Sequence, residues 1–155
     1  MPVQNLMAFD DASWIQVRDG DASVREVFDR HYSRRRYKDG RNPSLFVGPG
    51  EKLVLRTPEC DAIFVWRKFI SLDHQEGVNC AVFRNEGKRR SSLLISEACE
   101  IAWTEWPGQR LYTYVKPAAV RSVNPGYCFQ VAGWRRIGRN KNGKLVILDI
   151  HPKDA

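Results

Sequence analysis

The sequence of 155 residues lacks the features that mark several large classes of protein. No apolar run approaches the roughly 18 residues of a membrane-spanning helix, and the first residues show no basic-then-apolar signal pattern. The four cysteines form no CxxC pair and cluster with none of the three histidines, so no metal site is expected. We therefore expect a cytoplasmic protein with no membrane partner and with reduced cysteines.

Composition and charge narrow the possible functions. Hydrophobic residues make up 43% of the sequence and no repeat or linker divides it, so we predict one domain over residues 1–155, with a loose lead-in at 1–12. The net charge of +7 indicates a polyanionic partner or a phosphate-bearing ligand. Charge that serves only solubility is the alternative.

One stretch in the second half of the chain is the most informative. It begins with a strand over residues 78–84, followed by a basic loop over 85–92 and a helix. Pro107 and Gly108 end this helix, and the next strand covers residues 110–116. The apolar stripe of the helix consists of Leu94, Ile95, Ala98, Cys99, Ala102, Trp103 and Trp106. A helix between two such strands predicts a parallel crossover.

An earlier helix is indicated by its cap and by its apolar period. It begins near Asp21, where Ser23 and Glu26 are spaced as a capping box, and its apolar face carries His31 and Tyr32 at the last turn. This helix is expected to pack inward.

Shorter signals complete the expected architecture. Strands are predicted over residues 52–56 and 61–69, and a C-terminal hairpin turns at Asn142-Gly143 into a last strand over 144–150. A second short helix has Asn124 as N-cap, Pro125 at its first position and Gly133 as its stop. Together these elements predict an α+β fold around a mixed central sheet.

The basic loop from Arg84 to Ser92 is a candidate phosphate site. A helix N-terminus offers free N–H groups and the positive end of the helix dipole, which suit a phosphate. Gly87 is expected to take a positive φ, and Ser91 or Ser92 to cap the helix. A solvated basic turn with an ordinary serine cap is the alternative.

A second candidate set surrounds His31-Tyr32-Ser33. A histidine can exchange a proton near neutral pH, and Tyr32 can donate a proton or stack on a base. The segment 33–43 is rich in arginine and turn residues, which suits backbone phosphates. Tyr127, in the first turn of the short helix, is a candidate general acid. The alternatives are a histidine and a tyrosine that only close a helix, and a loop that is merely solvated.

The order of these elements resembles the core of the GNAT acyltransferases. The segment from Arg84 to Arg89 is similar to the R/Q-x-x-G-x-G/A motif of that fold, with Arg89 in place of the last small residue, and the short helix ends in Ala132-Gly133-Trp134. The resemblance implies a GNAT-like fold. In that fold two parallel strands splay apart around an acyl-coenzyme A, whose pyrophosphate lies on the loop.

More narrowly, five motifs together resemble the Mom-type DNA-modification proteins of phages and prophages, a GNAT offshoot. They are His31-Tyr32-Ser33, Phe83–Gly87, Ser91-Ser92, Thr113–Val115 and Asn124–Phe129. The resemblance implies that adenine in double-stranded DNA is converted to N6-carbamoylmethyladenine, which protects phage DNA from restriction enzymes. It does not fix the donor, for which acetyl-coenzyme A or a related acyl donor is the expectation from the GNAT fold.

The expected roles divide the candidate residues into three groups. The catalytic group is His31, Tyr32, Ser33 and Tyr127. The donor-binding group is Arg84, Asn85, Glu86, Gly87, Ser91, Ser92 and Asn124. The group that binds DNA is Arg34, Arg35, Arg36, Lys38, Arg41, Arg89, Arg90, Arg135 and Arg136. Two other functions stay open: a GNAT N-acetyltransferase that acts on a small amine or a protein, and a non-catalytic DNA-binding protein on the same scaffold.

Overall fold

A computed structural model describes residues 13–31, 47–70, 74–119 and 125–152. Within these ranges the elements are, in chain order, β1 (Ile15–Val17), α1 (Ala22–Phe28), β2 (Glu51–Arg56), β3 (Ala62–Lys68), β4 (Val78–Asn85), α2 (Ser91–Glu105), β5 (Leu111–Val115), a short 3-10 helix (Pro117–Ala119), α3 (Tyr127–Val131), β6 (Arg135–Arg139) and β7 (Val146–Ile150). None of the helices in these ranges is long and apolar enough to cross a membrane.

The strands form one seven-stranded sheet in the order β1-β2-β3-β4-β5-β7-β6. Neighbouring strands are antiparallel except for β4 and β5, which run parallel and are joined through α2. The predicted α+β fold, its mixed sheet and its parallel crossover are therefore confirmed.

Helix α2 covers one face of the sheet, as its apolar stripe predicted. Leu94, Ile95 and Ala98 are buried against the sheet, in a core that also contains Phe64 and Trp66. The Trp66 indole Nε1 donates to the Ala98 carbonyl oxygen over 3.0 Å, so this tryptophan has a partner for its one polar atom.

Helix α1 covers the other face and begins where predicted, but its cap and its last turn differ from the prediction. The Asp21 carboxylate accepts hydrogen bonds from the Ser23 and Val24 amides, so Asp21 is the N-cap and the predicted capping box is wrong. The helix ends at Phe28, which places His31 beyond it rather than in its last turn. The apolar face packs inward as expected, with Val24, Val27 and Phe28 buried.

The C-terminal elements agree with the prediction except at the start of α3. Gly143 has a φ of 74° in the turn between β6 and β7, and Gly133, with a φ of 99°, follows α3. The helix begins at Tyr127 with Gly126 as its N-cap, so the predicted start at Asn124 and Pro125 is wrong. Gly126 has a left-handed φ of 85°. A right-handed helix that began at Pro125 would require a negative φ at Gly126.

Candidate functional site

A cleft of about 490 Å³ opens where β4 and β5 part. The two strands pair only over Val78–Cys80 with Leu111–Thr113, although both continue beyond these residues. The walls of the cleft include Phe83, Arg84 and Asn85 from β4, Thr113, Tyr114 and Val115 from β5, Tyr127 and Cys128 from α3, and His31.

A β-bulge explains why the strands part at this point. In the register between β3 and β4, Val65 lies opposite Val82 and Trp66 opposite Cys80, so Ala81 is an extra residue. A bulge bends its strand and increases the local twist, which turns β4 away from β5. The Thr113 hydroxyl donates to the Cys80 carbonyl oxygen over 3.0 Å at the last paired row. A side chain therefore closes the ladder where the strands separate.

His31 forms part of the cleft wall although it is only 8% exposed. Its pKa is lowered from 6.5 to about 4, because burial disfavours the imidazolium and the positive charge of Arg84 repels it. A hydrogen bond with the Phe83 backbone acts in the opposite direction. The imidazole is therefore neutral at neutral pH and can accept a proton.

Asn85 holds the basic loop in shape. Its side-chain amide donates to the Arg89 carbonyl oxygen over 2.7 Å and to the Ser91 hydroxyl over 3.0 Å. Its carbonyl oxygen accepts from the Gly87 amide over 3.0 Å. Asn85 thus organises the loop instead of pointing all of its polar atoms into the cleft.

Gly87 lies close to Asp61, and this contact differs from the positive φ that was predicted for it. It does not take a positive φ, so that prediction is wrong. A Cβ atom on Gly87 would lie only 2.1 Å from the Asp61 carboxylate. A side chain at position 87 would therefore have to displace the Asp61 carboxylate, which also accepts a hydrogen bond from the Thr57 hydroxyl.

The first turn of α2 has no side-chain cap. Arg90 is the N-cap residue, and its side chain makes no capping hydrogen bond. Ser91 and Ser92 are the first residues of the helix itself, so the predicted serine cap is wrong. Ser91 lines the cleft, which places the amides of this helix terminus beside it.

Acidic residues pair with two of the four cations of the loop, Arg84 and Arg89. Arg30 binds Glu86 through two hydrogen bonds of 2.7 and 2.6 Å, and the Arg84 Nε donates to the same carboxylate over 2.6 Å. These donors, Arg30 first, lower the pKa of Glu86 from 4.5 to about 2, against a smaller effect of burial. Arg89 pairs with Glu59 at 2.6 Å in the same way.

These pairs were not foreseen from the sequence. Arg30 and Glu86 are 56 positions apart, and Arg89 and Glu59 are 30 apart, so no local spacing signals either contact. Glu86 lies outside the walls of the cleft and binds arginines. Two cations of the loop, Arg84 and Arg89, are therefore ion-paired, whereas Lys88 and Arg90 are exposed and form no salt bridge among the described residues.

Tyr127 stands at the mouth of the cleft. It is the first residue of α3, it lines the cleft, and it is 61% exposed. An exposed phenol at this place can meet a ligand that enters from solvent. His31, Arg84, Asn85, Ser91 and Tyr127 are thus the predicted residues that the structure brings to one cleft.

Other predicted residues lie elsewhere. Ser92, Glu86, Gly87, Arg89 and Arg90 are close to the cleft in sequence but do not line it. Arg135 and Arg136 lie on the edge strand β6. Tyr32, Ser33, Arg34, Arg35, Arg36, Lys38, Arg41 and Asn124 fall outside the residues that the structure describes.

The cysteines behave as apolar residues. All four are free thiols, and Cys80 and Cys99 are buried as predicted, while Cys128 is half-buried at the cleft. Burial raises the pKa of the Cys80 and Cys128 thiols, and that of Cys99 to about 12, so the thiol form prevails. Among the described residues, no three His, Cys, Asp or Glu side chains converge as metal ligands.

Comparison of the chain with protein-family models, with curated proteins and with solved structures finds no match.

Proposed function

We propose that this protein is a GNAT-like transferase that modifies adenine in double-stranded DNA, with N6-carbamoylmethyladenine as the product. The observation that carries the proposal is the cleft between the two parallel strands, which separate at the bulge of β4. A pair of splayed parallel strands is what the resemblance to GNAT acyltransferases led us to expect. The substrate is inferred from the motifs that resemble those of Mom-type proteins.

The proposed acceptor site suits an extruded base. The exocyclic amine of adenine takes part in base pairing, so an enzyme that acts on it must turn the base out of the helix. Phe83, Tyr114 and Tyr127 give the cleft aromatic walls on which a planar base can stack. The cleft volume of about 490 Å³ falls in the range of small-molecule sites.

The proposed chemistry assigns a proton acceptor to the buried wall. As the amine nitrogen bonds to the methylene carbon of a carbamoylmethyl donor, X–CH2–CONH2, the bond from that carbon to X breaks and X leaves with the electron pair. The nitrogen loses a proton in this step, and His31 is neutral and able to take it. Arg84 lies on the same wall and can orient the donor's anionic or carbonyl end. Tyr127, at the mouth, is placed to stack on the base or to return a proton.

The test is nucleoside mass spectrometry of DNA from bacteria that express the protein. We expect a deoxyadenosine heavier by one carbamoylmethyl group, and its loss in a His31→Ala variant that still folds. Removal of a general base costs about 10²- to 10⁴-fold in rate. Unmodified DNA with well-expressed, folded wild-type protein would overturn the proposal, and full activity of His31→Ala would overturn the role of His31.

One observation favours a second candidate, a GNAT N-acetyltransferase. The N-terminus of α2 has no side-chain cap and lies beside the cleft, as a site for the pyrophosphate of acetyl-coenzyme A would require. Saturable binding of acetyl-coenzyme A, with acetylation of a small amine and no altered nucleoside, would favour this function over the first.

A further inference from the structure

The strand β6 and the turn that follows it form a basic edge. Between residues 135 and 145 the chain carries five cationic residues and no acidic one; they are Arg135, Arg136, Arg139, Lys141 and Lys144. All residues of β6 are exposed, and this strand is an outer strand of the sheet. The three arginines of β6 are not equivalent, because they are divided between the two faces of the sheet. The two lysines lie in the turn.

The strand register places Arg135 and Arg136 on opposite faces. Side chains directly opposite each other in an antiparallel pair point to the same side. Arg136 lies opposite Leu148, whose side chain belongs to the core beneath α2 and lies close to Gly126 at the start of α3. Arg135 lies opposite Asp149 and approaches its carboxylate to 3.7 Å on the other face.

A second bulge brings Arg139 to the same face as Arg136. The register of β6 shifts between Arg136 and Gly138, so Arg139 lies opposite Val146. Leu148 and Val146 are both buried in the core beneath α2. Without the bulge, two residues three positions apart on a strand would point to opposite faces.

The same register places these two arginines beside the cleft. Through β7, Arg136 is aligned with Thr113 and Arg139 with Val115, and both of these β5 residues line the cleft. Two strand spacings, about 10 Å in all, separate β6 from β5. The turn that carries Lys141 and Lys144 continues from this end of the sheet.

These cations are available to a partner. Arg136, Lys141 and Lys144 are exposed and form no salt bridge within the described ranges, in contrast to Arg84 and Arg89. Among the described residues, the Arg139 guanidinium donates only to the Gly143 carbonyl oxygen, across the turn. Within the described residues, these exposed cations of the hairpin thus lack the acidic partners that Arg84 and Arg89 have.

We infer that the β6–β7 hairpin holds the phosphate backbone of duplex DNA beside the cleft, through Arg136, Arg139, Lys141 and Lys144. This inference rests on the proposed function, because an extruded base can reach the cleft only if the flanking duplex lies against its rim. Arg135 is excluded from the contact, since it lies on the opposite face with Asp149. A row of exposed arginines and lysines without a neighbouring acid suits phosphates.

The test compares two adjacent arginines of equal charge. Binding of a short DNA duplex is followed by fluorescence anisotropy over a range of KCl concentrations. We expect Arg136→Ala to weaken binding by about three- to tenfold at low salt and to reduce the slope of log K against log salt by about 1. Lys141→Ala with Lys144→Ala should reduce that slope by about 2, and Arg135→Ala should leave it unchanged.

Two results would overturn the inference. One is equal behaviour of Arg135→Ala and Arg136→Ala, when melting curves show both variants folded. The other is a glutamate-rich peptide that binds as tightly as the duplex and loses the same affinity in Arg136→Ala, which would assign the hairpin to an acidic protein.

Nucleoside mass spectrometry of the same variants separates this inference from the proposed function. If wild-type protein modifies DNA but the two arginine variants bind alike, only the hairpin inference fails. If Arg136→Ala alone loses binding but no nucleoside is modified by the wild type, the enzymatic proposal fails and the hairpin inference stands.

Discussion

The two sides of β4 have opposite characters. Toward β3 the strand pairs along nearly its whole length, from Ala62 opposite Asn85 to Arg67 opposite Asn79. Toward β5 the pairing stops at Cys80. The first side is sealed by buried aromatic rings, and the second is open to a ligand.

One extra residue, Ala81, separates the part of β4 that pairs with both neighbouring strands from the part that pairs only with β3. The bulge at Ala81 leaves the β3 ladder in place on both sides of itself, yet it accompanies the loss of the β5 ladder. We therefore expect substitutions on the sealed side to act on stability and substitutions on the open side to act on proton binding or ligand binding. Four predictions test this division.

The largest stability effect is expected from Phe64→Ala on the sealed side. Phe64 is fully buried and packs against Trp66 at 4.6 Å and Phe83 at 5.3 Å between ring centroids. Loss of the ring and the resulting cavity should cost about 3–5 kcal/mol of unfolding free energy in urea. The control, Tyr127→Ala, removes an exposed ring from the open side and should change this free energy by less than about 0.5 kcal/mol. Similar losses in both variants would remove the distinction.

His31 on the open side should make stability depend on pH. Its pKa is about 4 in the folded protein and near 6.5 when the chain unfolds. Between these values the unfolded chain binds a proton that the folded protein does not, so stability falls as the pH falls through this window. The loss should approach about 3 kcal/mol at most, and urea unfolding at pH 7 and pH 4.5 measures it.

The matched variants for this effect are His31→Asn and His74→Asn. The first should lose most of the pH dependence between 6.5 and 4. The second should retain it, because His74 is exposed and its φ of 59° is one that asparagine tolerates. An unchanged pH dependence in His31→Asn would show that the imidazole is not held in its neutral form.

Local signals in the sequence predicted the frame of the molecule but not the contacts of the site. The stripe from Leu94 to Trp106 repeats with the period of a helix, and each position can be judged from its near neighbours. The same holds for the turn at Asn142-Gly143. The parallel pairing of β4 and β5 was predicted from the helix between them. The position of the cleft between these two strands could therefore be predicted from the sequence.

The errors arose where a residue distant in sequence decides the local structure. Gly87 was expected to have a positive φ, but it has none, and a side chain there would instead meet the carboxylate of Asp61, 26 positions away. Arg84 was expected to be free to bind a ligand, but it and Arg30 share the carboxylate of Glu86. The start of α3 was misplaced because Asn124 and Pro125 form a good helix start by themselves, while Gly126 lies against Leu148.

A smaller effect is expected at the point where the strands part. Thr113→Val removes the hydroxyl that donates to the Cys80 carbonyl oxygen, and it leaves that buried oxygen without this partner. The cost should be about 1–2 kcal/mol in unfolding free energy. Thr113→Ser keeps the hydroxyl and should recover most of the loss. If serine is no more stable than valine, the hydroxyl does not stabilise this position, and the closure of the ladder by Thr113 is wrong.

The smallest effect concerns the charge beside the open side. Glu86→Gln leaves Arg30 and Arg84 without their carboxylate, so we expect affinity for inorganic pyrophosphate, followed by isothermal titration calorimetry, to rise by about two- to fivefold. Glu59→Gln frees Arg89 in the same manner, but Arg89 does not line the cleft, so this control should bind as the wild type does. A fall in affinity in Glu86→Gln would show instead that Glu86 holds the arginines in a binding geometry. In that case the expectation from the sequence, that Glu86 takes part in donor binding, would be closer to its role than internal neutralisation.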